Sequence, residues 1–349
     1  MRLIFTCGIR TLPGRGQSLQ QLYRDHLGEA VLAEELGFDG VWASEHHFSP
    51  DAWNPSAAVF LAAVAARTSR VRLGSFVLLL PLHNPVRVAE DFAVLDNISL
   101  GRVDLPVGVG SALAEFKSLG IPFSERLGRT FEGLSVIGKC FAGREFSHQG
   151  KYYDFPEVQM TTTPVQPGGP PIWVASMGEQ SVNWTARRGY HLAAGAGRGH
   201  ARWEELLRQY GHDPATRQVA SVPLRLHLAE SRTQAWDESE TGLHQVLHFY
   251  RTRGQDPRAG STAAGALETL PPVGQFRDVP GIGHGGQPFM IGTPDAVMRM
   301  LEAYRSKRLT HLSLNFHQPG QDAGAVRRSM QLFANELMPE LIKWPERAA

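Results

Sequence analysis

Cysteine is scarce in this 349-residue chain: Cys7 and Cys140 are the only two. Two thiols cannot build a disulfide framework, and such usage suits a reducing, cytoplasmic setting. Charge of one sign is lacking too, with 35 basic against 34 acidic side chains and a formal net charge of +1. That balance gives no reason to expect a nucleic-acid or membrane surface as partner. Long apolar runs are missing as well. The longest, around Phe76–Leu80, is strand-sized and far short of the roughly 18 residues a membrane helix needs. The N-terminal MRLIFTCGIR lacks the charged, long-apolar, small-residue order of a signal peptide. The expectation is a cytoplasmic protein.

Glycine and proline, by contrast, are abundant, at 36 and 23 residues, which points to many turns joining many short elements. Hydrophobic residues at 42% and charged residues at 20% make an ordinary globular mixture. The length admits one large domain or two medium ones.

The first half alternates between strand and helix patterns. Leu3–Cys7, Gly40–Ser44, Val71–Leu80 and Val103–Val109 read as strands, the third nearly continuous in apolar residues, as a doubly buried parallel strand would be. Between them Ser18–Leu36, Pro55–Thr68 and Pro85–Ile98 read as helices, the second with Asn54 as cap and Pro55 in its first turn. The helix Arg126–Phe141 follows the fourth strand. Ile172–Ala175, His191–Ala194, Leu224–Ala229 and Thr310–Phe316 continue the strands, with helices over Glu179–Gly189, Ala201–Tyr210, Ala235–Arg251, Thr293–Lys307 and Ala323–Leu337. Two stretches break the pattern: Phe146–Pro171 reads as an inserted hairpin or loop, and Arg253–Gln287 as a long irregular segment suited to a lid. Eight strands, each followed by a helix, predict a single (β/α)8 TIM barrel over residues 1–349, with insertions after strands 4 and 7.

In such a barrel chemistry sits at the C-terminal strand ends. The densest titratable group there is Glu45-His46-His47-Phe48 after strand two. Imidazole titrates near neutrality and suits proton transfer, although two hydrogen-bonded structural histidines fit the residues equally well. His317 ends the last strand, but no compact metal-ligand set accompanies it, so no metal is expected. The run Ser176-Met177-Gly178-Glu179-Gln180-Ser181 opens the helix after strand five with backbone N–H groups suited to phosphate. Gly108-Val109-Gly110-Ser111 is a partial glycine turn that makes room for a flat group near the backbone. Arg87, Asp91, Asp96 and Arg102 read as a structural network or subunit contact, and Phe5, Trp42, Phe76 and Phe316 as walls of an apolar chamber.

The runs GFDGVWASEHHF, LGSFVLLLPLHNPVRVAEDFAVLDNISLGRVDLPVGVG, PPIWVASMGEQSVNWTARRGY and IGTPDAV, with a late LFANELMP, resemble the bacterial luciferase-like monooxygenases over nearly the whole chain. The resemblance implies a barrel that binds reduced FMN, or in some relatives the deazaflavin F420, and forms a C4a-peroxyflavin with O2. It implies that His46 is the catalytic histidine, supported by Glu45 and His47. A non-proline cis peptide would fall at Ser75–Phe76 beneath the flavin ring. The cofactor phosphate would lie on Ser176, Met177, Gly178 and Ser181, and Gly108 and Val109 would border the flavin. Relatives often carry an arginine in the turn after strand four. Val109 removes that charge here, leaving Arg126 or Arg129 as replacements. Glu-His-His-Phe resembles the FMN-using branch, so FMN is preferred to F420. The implied activity is oxygenation of an apolar organic substrate, with reduced FMN from a separate NAD(P)H:flavin reductase, in a homodimer. An F420-dependent oxidoreductase and a non-catalytic flavin-binding subunit are the alternatives.

Overall fold

The computed structural model describes residues 1–14, 17–195, 198–252, 270–284 and 287–344. Its strands are short, apolar and parallel, and eight staves curl into a nearly closed barrel. Stave one is β1 (Arg2–Cys7), stave two β2 (Gly40–Ala43). Stave three is broken into β3 (Arg72–Ser75) and β4 (Leu78–Leu79), and stave four is β5 (Leu105–Gly108). After the antiparallel hairpin β6 (Phe146–Gln149) and β7 (Asp154–Val158) come stave five, β8 (Ile172–Ala175), and stave six, β9 (His191–Gly195). Stave seven is β10 (Val219–Ser221) with β11 (Leu224–Leu228). The short pair β12 (Gly283–His284) and β13 (Gln287–Pro288) and strand β14 (Met290–Gly292) precede stave eight, β15 (His311–Asn315). β1 pairs with both β2 and β15, and β3 meets the start of stave four through the Leu73–Val103 bridge.

Helices jacket the staves: α1 (Leu19–Glu35), α2 (Ala57–Ala65), α3 (Pro85–Ile98), α4 (Leu113–Ser118), α5 (Arg126–Phe141), α6 (Glu179–Arg187), α7 (Arg198–Gln209), α8 (Arg232–Thr252), α9 (Pro294–Leu301), α10 (Ala323–Glu336) and α11 (Met338–Leu341). Among the described residues no helix is long and apolar enough to cross a membrane. Inside the barrel Ile4, Trp42, Trp173, Ala193 and Ala220 fill the lumen, with Trp42 and Trp173 edge-to-face at 5.3 Å. The interior is therefore packed, and a ligand must sit above it at the strand ends.

Several local expectations change. The second helix begins at Ala57 with Ser56 at its cap. Asn54 stands two residues earlier: its Oδ1 accepts from the Ser56 N–H at 3.4 Å and the Tyr23 hydroxyl at 3.3 Å, and its amide donates to the Ser44 carbonyl at 3.2 Å. Strand β14 was not anticipated. It lies outside the staves, paired with the outer half of β11, where Leu226 faces Met290. Most of the 253–287 stretch, and with it the expected lid, lies outside the described residues. Its described flank packs Phe276, Ile282 and Phe289 against Trp236 and Leu243 of α8. Arg102 is structural, donating to the carbonyls of Ala65, Thr68, Val71 and Ser99. Arg87 forms exposed pairs with Glu90 and Asp91.

Gly108 ends stave four where the chain after β3 crosses it. A Cβ there would lie 2.4 Å from Val77 Cγ2. Gly108→Ala is expected to cost about 1–3 kcal/mol, since both strands must shift. Urea unfolding of the variant checks this, and an unchanged midpoint would mean that Val77 moves freely.

Candidate active site

Stave two delivers Ser44, Glu45, His46 and His47 to the barrel mouth, and the two histidines diverge as neighbours on extended backbone do. His46 Nδ1 lies 2.8 Å from Glu115 Oε1, and the same oxygen accepts the His47 N–H at 2.9 Å. Glu115 is fully buried on α4, the short helix after stave four. The residue supporting His46 is therefore Glu115 and not Glu45. Glu115 carries one signal in the sequence, as a lone acidic residue in the otherwise small and apolar turn GSALAEF.

Glu45 does other work. Its Oε1 accepts from His47 Nε2 at 3.2 Å, His83 Nε2 at 2.8 Å and the Leu79 N–H at 3.2 Å. Burial would raise this carboxyl, but the bonds from His47 and His83 outweigh it and hold the pKa at about 2. Burial lowers the His83 imidazole, and the Glu45 hydrogen bond and charge more than restore it, raising it above 6.5. Glu45 thus ties stave two to the segment after β4.

Aromatic rings close around His46. Trp53 approaches at 4.2 Å between centroids, Phe249 at 5.5 Å and Tyr250 at 6.4 Å. Trp53 is fixed by its Nε1–H, which donates to Ser44 Oγ at 2.7 Å. The Arg10 guanidinium, ion-paired with Asp51, stacks 4.1 Å from the Trp53 ring and 4.8 Å from Phe249. Phe249 and Tyr250 come from the C-terminal end of α8. These rings replace the expected chamber walls. Phe5 and Phe316 point outward and pack with Phe38 and Phe333, while Trp42 lies in the lumen.

The strand-three irregularity is one residue later than expected. The cis peptide joins Phe76 and Val77, not Ser75 and Phe76. The Phe76 N–H still donates to the Ala43 carbonyl at 2.7 Å, and Ser75 Oγ donates to the Pro106 carbonyl at 2.6 Å. Ladder order therefore runs through residue 76 before the chain departs. Phe76 and Val77 form a half-buried apolar ledge, with Phe76 stacked on Trp42 at 5.5 Å. Gly108 and the half-buried Val109 lie at the adjacent end of stave four.

At α6 the hydroxyls are already engaged. Ser181 Oγ donates to the Gly178 carbonyl at 2.8 Å, and Ser176 Oγ lies 2.7 Å from Thr185 Oγ1. What remains for an anion is the backbone of the first turn, beside exposed Met177 and Gly178. Of the arginines considered for the missing charge, Arg126 donates to the Phe123 carbonyl and Arg129 binds Glu125.

Two histidine–carboxylate groups were not foreseen: Glu45, His47 and His83, and a buried set of His26, Glu29 and His317. In the second, the His26 and His317 rings stack at 4.3 Å on either side of the Glu29 carboxylate, with one ligand atom of each of the three residues within 4.8 Å of the others.

A family model described as luciferase-like monooxygenase matches residues 1–311. An F420-dependent glucose-6-phosphate dehydrogenase of Kineococcus radiotolerans is 30% identical over 325 residues, covering 89% of this chain and 91% of that protein. An uncharacterised protein of Sinorhizobium fredii is 35% identical, but the match spans only about half of each chain, 51% of this one and 52% of the other. Among solved structures, monooxygenase RslO1 of Streptomyces bottropensis superposes with a TM-score of 0.84 at 24% identity, covering 98% of this chain and 100% of that one. The oxygenating constituent of 3,6-diketocamphane monooxygenase of Pseudomonas putida, in complex with FMN, reaches 0.75 at 20% identity, covering 97% and 98%.

Proposed function

Because the chain belongs to the luciferase-like monooxygenase family, whose members are oxidoreductases using flavin or F420, we propose that it is a monooxygenase using reduced FMN and dioxygen on an organic substrate with a largely apolar body. Reduced FMN with dioxygen supplies the oxygen-transfer chemistry, and a separate NAD(P)H-dependent reductase provides the reduced cofactor.

The observation that carries this reading is the aromatic enclosure of His46 by Trp53, Phe249 and Tyr250. Oxygen transfer is wasted when water reaches the reacting centre, and such walls exclude it. Glu115 holds His46 through Nδ1, which leaves Nε2 to exchange a proton with a bound reactant. The half-buried Phe76–Val77 ledge offers a flat ring an apolar bed, and the first turn of α6 offers its phosphate backbone N–H groups. Those residues fit FMN.

A second reading, F420-dependent hydride transfer, is favoured by the relative matched over 91% of its length. Anaerobic titration with reduced FMN, followed by turnover under 18O2, separates the two. The expected result is saturable FMN binding and one labelled oxygen in the product. Turnover with F420 in the absence of oxygen would replace this proposal with the second reading.

A further inference from the structure

We propose that Arg225 anchors a carboxylate carried by the organic substrate, at the same barrel mouth as His46. The inference deepens the monooxygenase reading and rests on it for the word substrate. Arg225 sits on β11, and its Nη1 donates to Gln318 Oε1 at 3.0 Å and Asn315 Oδ1 at 3.4 Å. Its remaining partner is the Tyr250 hydroxyl. All three are neutral. Arg10 and Arg72 face carboxylates, Asp51 and Asp104, and Arg102 spends its donors on four backbone carbonyls. Among the described residues no carboxylate forms an ion pair with Arg225, and its Nε–H has no partner.

A shielded cation without a counter-ion is unfavourable unless a ligand supplies one. Burial pushes the Arg225 guanidinium down to about 10, against the partial support of Tyr250. Its grip is preorganised. Gln318 also donates to Asn315 Oδ1 at 3.0 Å, its own N–H donates to Gln321, and Asn315 donates to the Thr6 carbonyl at 2.9 Å. Those bonds hold one end of the planar fork and leave the Nε edge for a planar, two-oxygen acceptor, the geometry of a carboxylate. Tyr250 links the arginine to the aromatic enclosure: its hydroxyl occupies Arg225 while its ring lies 6.4 Å from His46 and 5.2 Å from Phe249. A carboxylate that displaces this hydroxyl brings its apolar body against Phe249 and Trp53, beside His46. The substrate class is therefore an organic acid with an aromatic or aliphatic body.

Isothermal titration of the wild-type protein, Arg225→Gln and Arg225→Lys with 4-phenylbutanoate and its methyl ester tests this. The acid is expected to bind wild type about 10- to 100-fold tighter than the ester. Arg225→Gln should erase that preference, and Arg225→Lys should keep part of it. Equal affinities in wild type, no binding of the acid, or an acid preference that survives in Arg225→Gln would overturn the proposal. So would a loss of reduced-FMN affinity in Arg225→Gln as large as the loss for the acid, which would assign the arginine to the cofactor. If wild type prefers the acid and does not bind reduced FMN, the anchor stands and the FMN reading fails. Thermal unfolding of both variants separates lost binding from lost fold, and Arg225→Lys carries the test where Arg225→Gln unfolds.

Discussion

Replacing His46 with alanine is expected to lower turnover by about 10²- to 10⁴-fold, the range a positioned general acid–base group contributes, while reduced cofactor binds as before. The expectation follows from geometry. His46 is the imidazole that meets the aromatic enclosure, at 4.2 Å from Trp53. Its other end is anchored to Glu115 at 2.8 Å. Neither contact involves the Phe76–Val77 ledge or the first turn of α6, so removing the imidazole leaves the proposed cofactor bed untouched. Glu115→Gln keeps a hydrogen-bond acceptor for Nδ1 but removes the charge, and should fall between wild type and His46→Ala. Steady-state rates beside anaerobic titrations decide the matter. Unchanged turnover in His46→Ala would remove the residue from the mechanism, and a parallel loss of cofactor affinity would make it a binding residue.

The second large effect is on stability. Glu29→Ala is expected to destabilise the fold by about 3–5 kcal/mol, because it strands buried partners. Glu29 is fully buried on α1, its Oε1 2.8 Å from His317 Nδ1 and its Oε2 3.2 Å from His26 Nδ1. Burial raises the Glu29 carboxyl, but His317 and His26 outweigh it and bring it to about 2 from 4.5. A depressed carboxylate contributes fully above pH 4.5 and loses that contribution as pH falls through about 2. Burial lowers His317, yet Glu29 carries it above 6.5. A raised histidine contributes fully below pH 6.5 and loses its share as pH rises through the folded value. His26 is lowered, first by burial and then by the His317 charge, so it works against the pair as pH falls below 6.5. The advantage of wild type over Glu29→Ala should therefore peak between about pH 4.5 and 6.5. Urea unfolding at pH 5.5 and 8.5 measures it. A difference that does not shrink at the higher pH would mean that His317 carries no charge in the folded protein.

Much of the architecture was legible from local pattern. Val71–Leu80 is nearly continuous in apolar residues because both faces of its stave are covered, by lumen on one side and helices on the other. Its break into β3 and β4 does not show in the apolar pattern; the family resemblance placed it at Ser75–Phe76, one residue early, because the bonds to the Ala43 and Pro106 carbonyls run on through residue 76. Asn54 carries the composition of a helix cap but also binds the Ser44 carbonyl and the Tyr23 hydroxyl, one backbone and one side-chain group brought up by tertiary packing. Strand β14 is three residues long and pairs with β11, too short to show a period of its own.

By itself the sequence determined the alternation of strand and helix, the parallel barrel that follows from it, and the strand end where Glu45, His46 and His47 stand. Those are properties of spacing, and spacing of 2 or 3.6 residues is written along the chain. Only the tertiary structure decided which carboxylate serves which histidine. Glu45 is adjacent to His46 but turns to His83, while Glu115, 69 residues away, holds His46. The same holds for Glu29 and His317, separated by 288 residues, and for Arg225 on β11, brought against Asn315 and Gln318 some 90 residues away. Such pairings depend on how the staves register as the barrel closes, a relation between distant segments that no local period encodes.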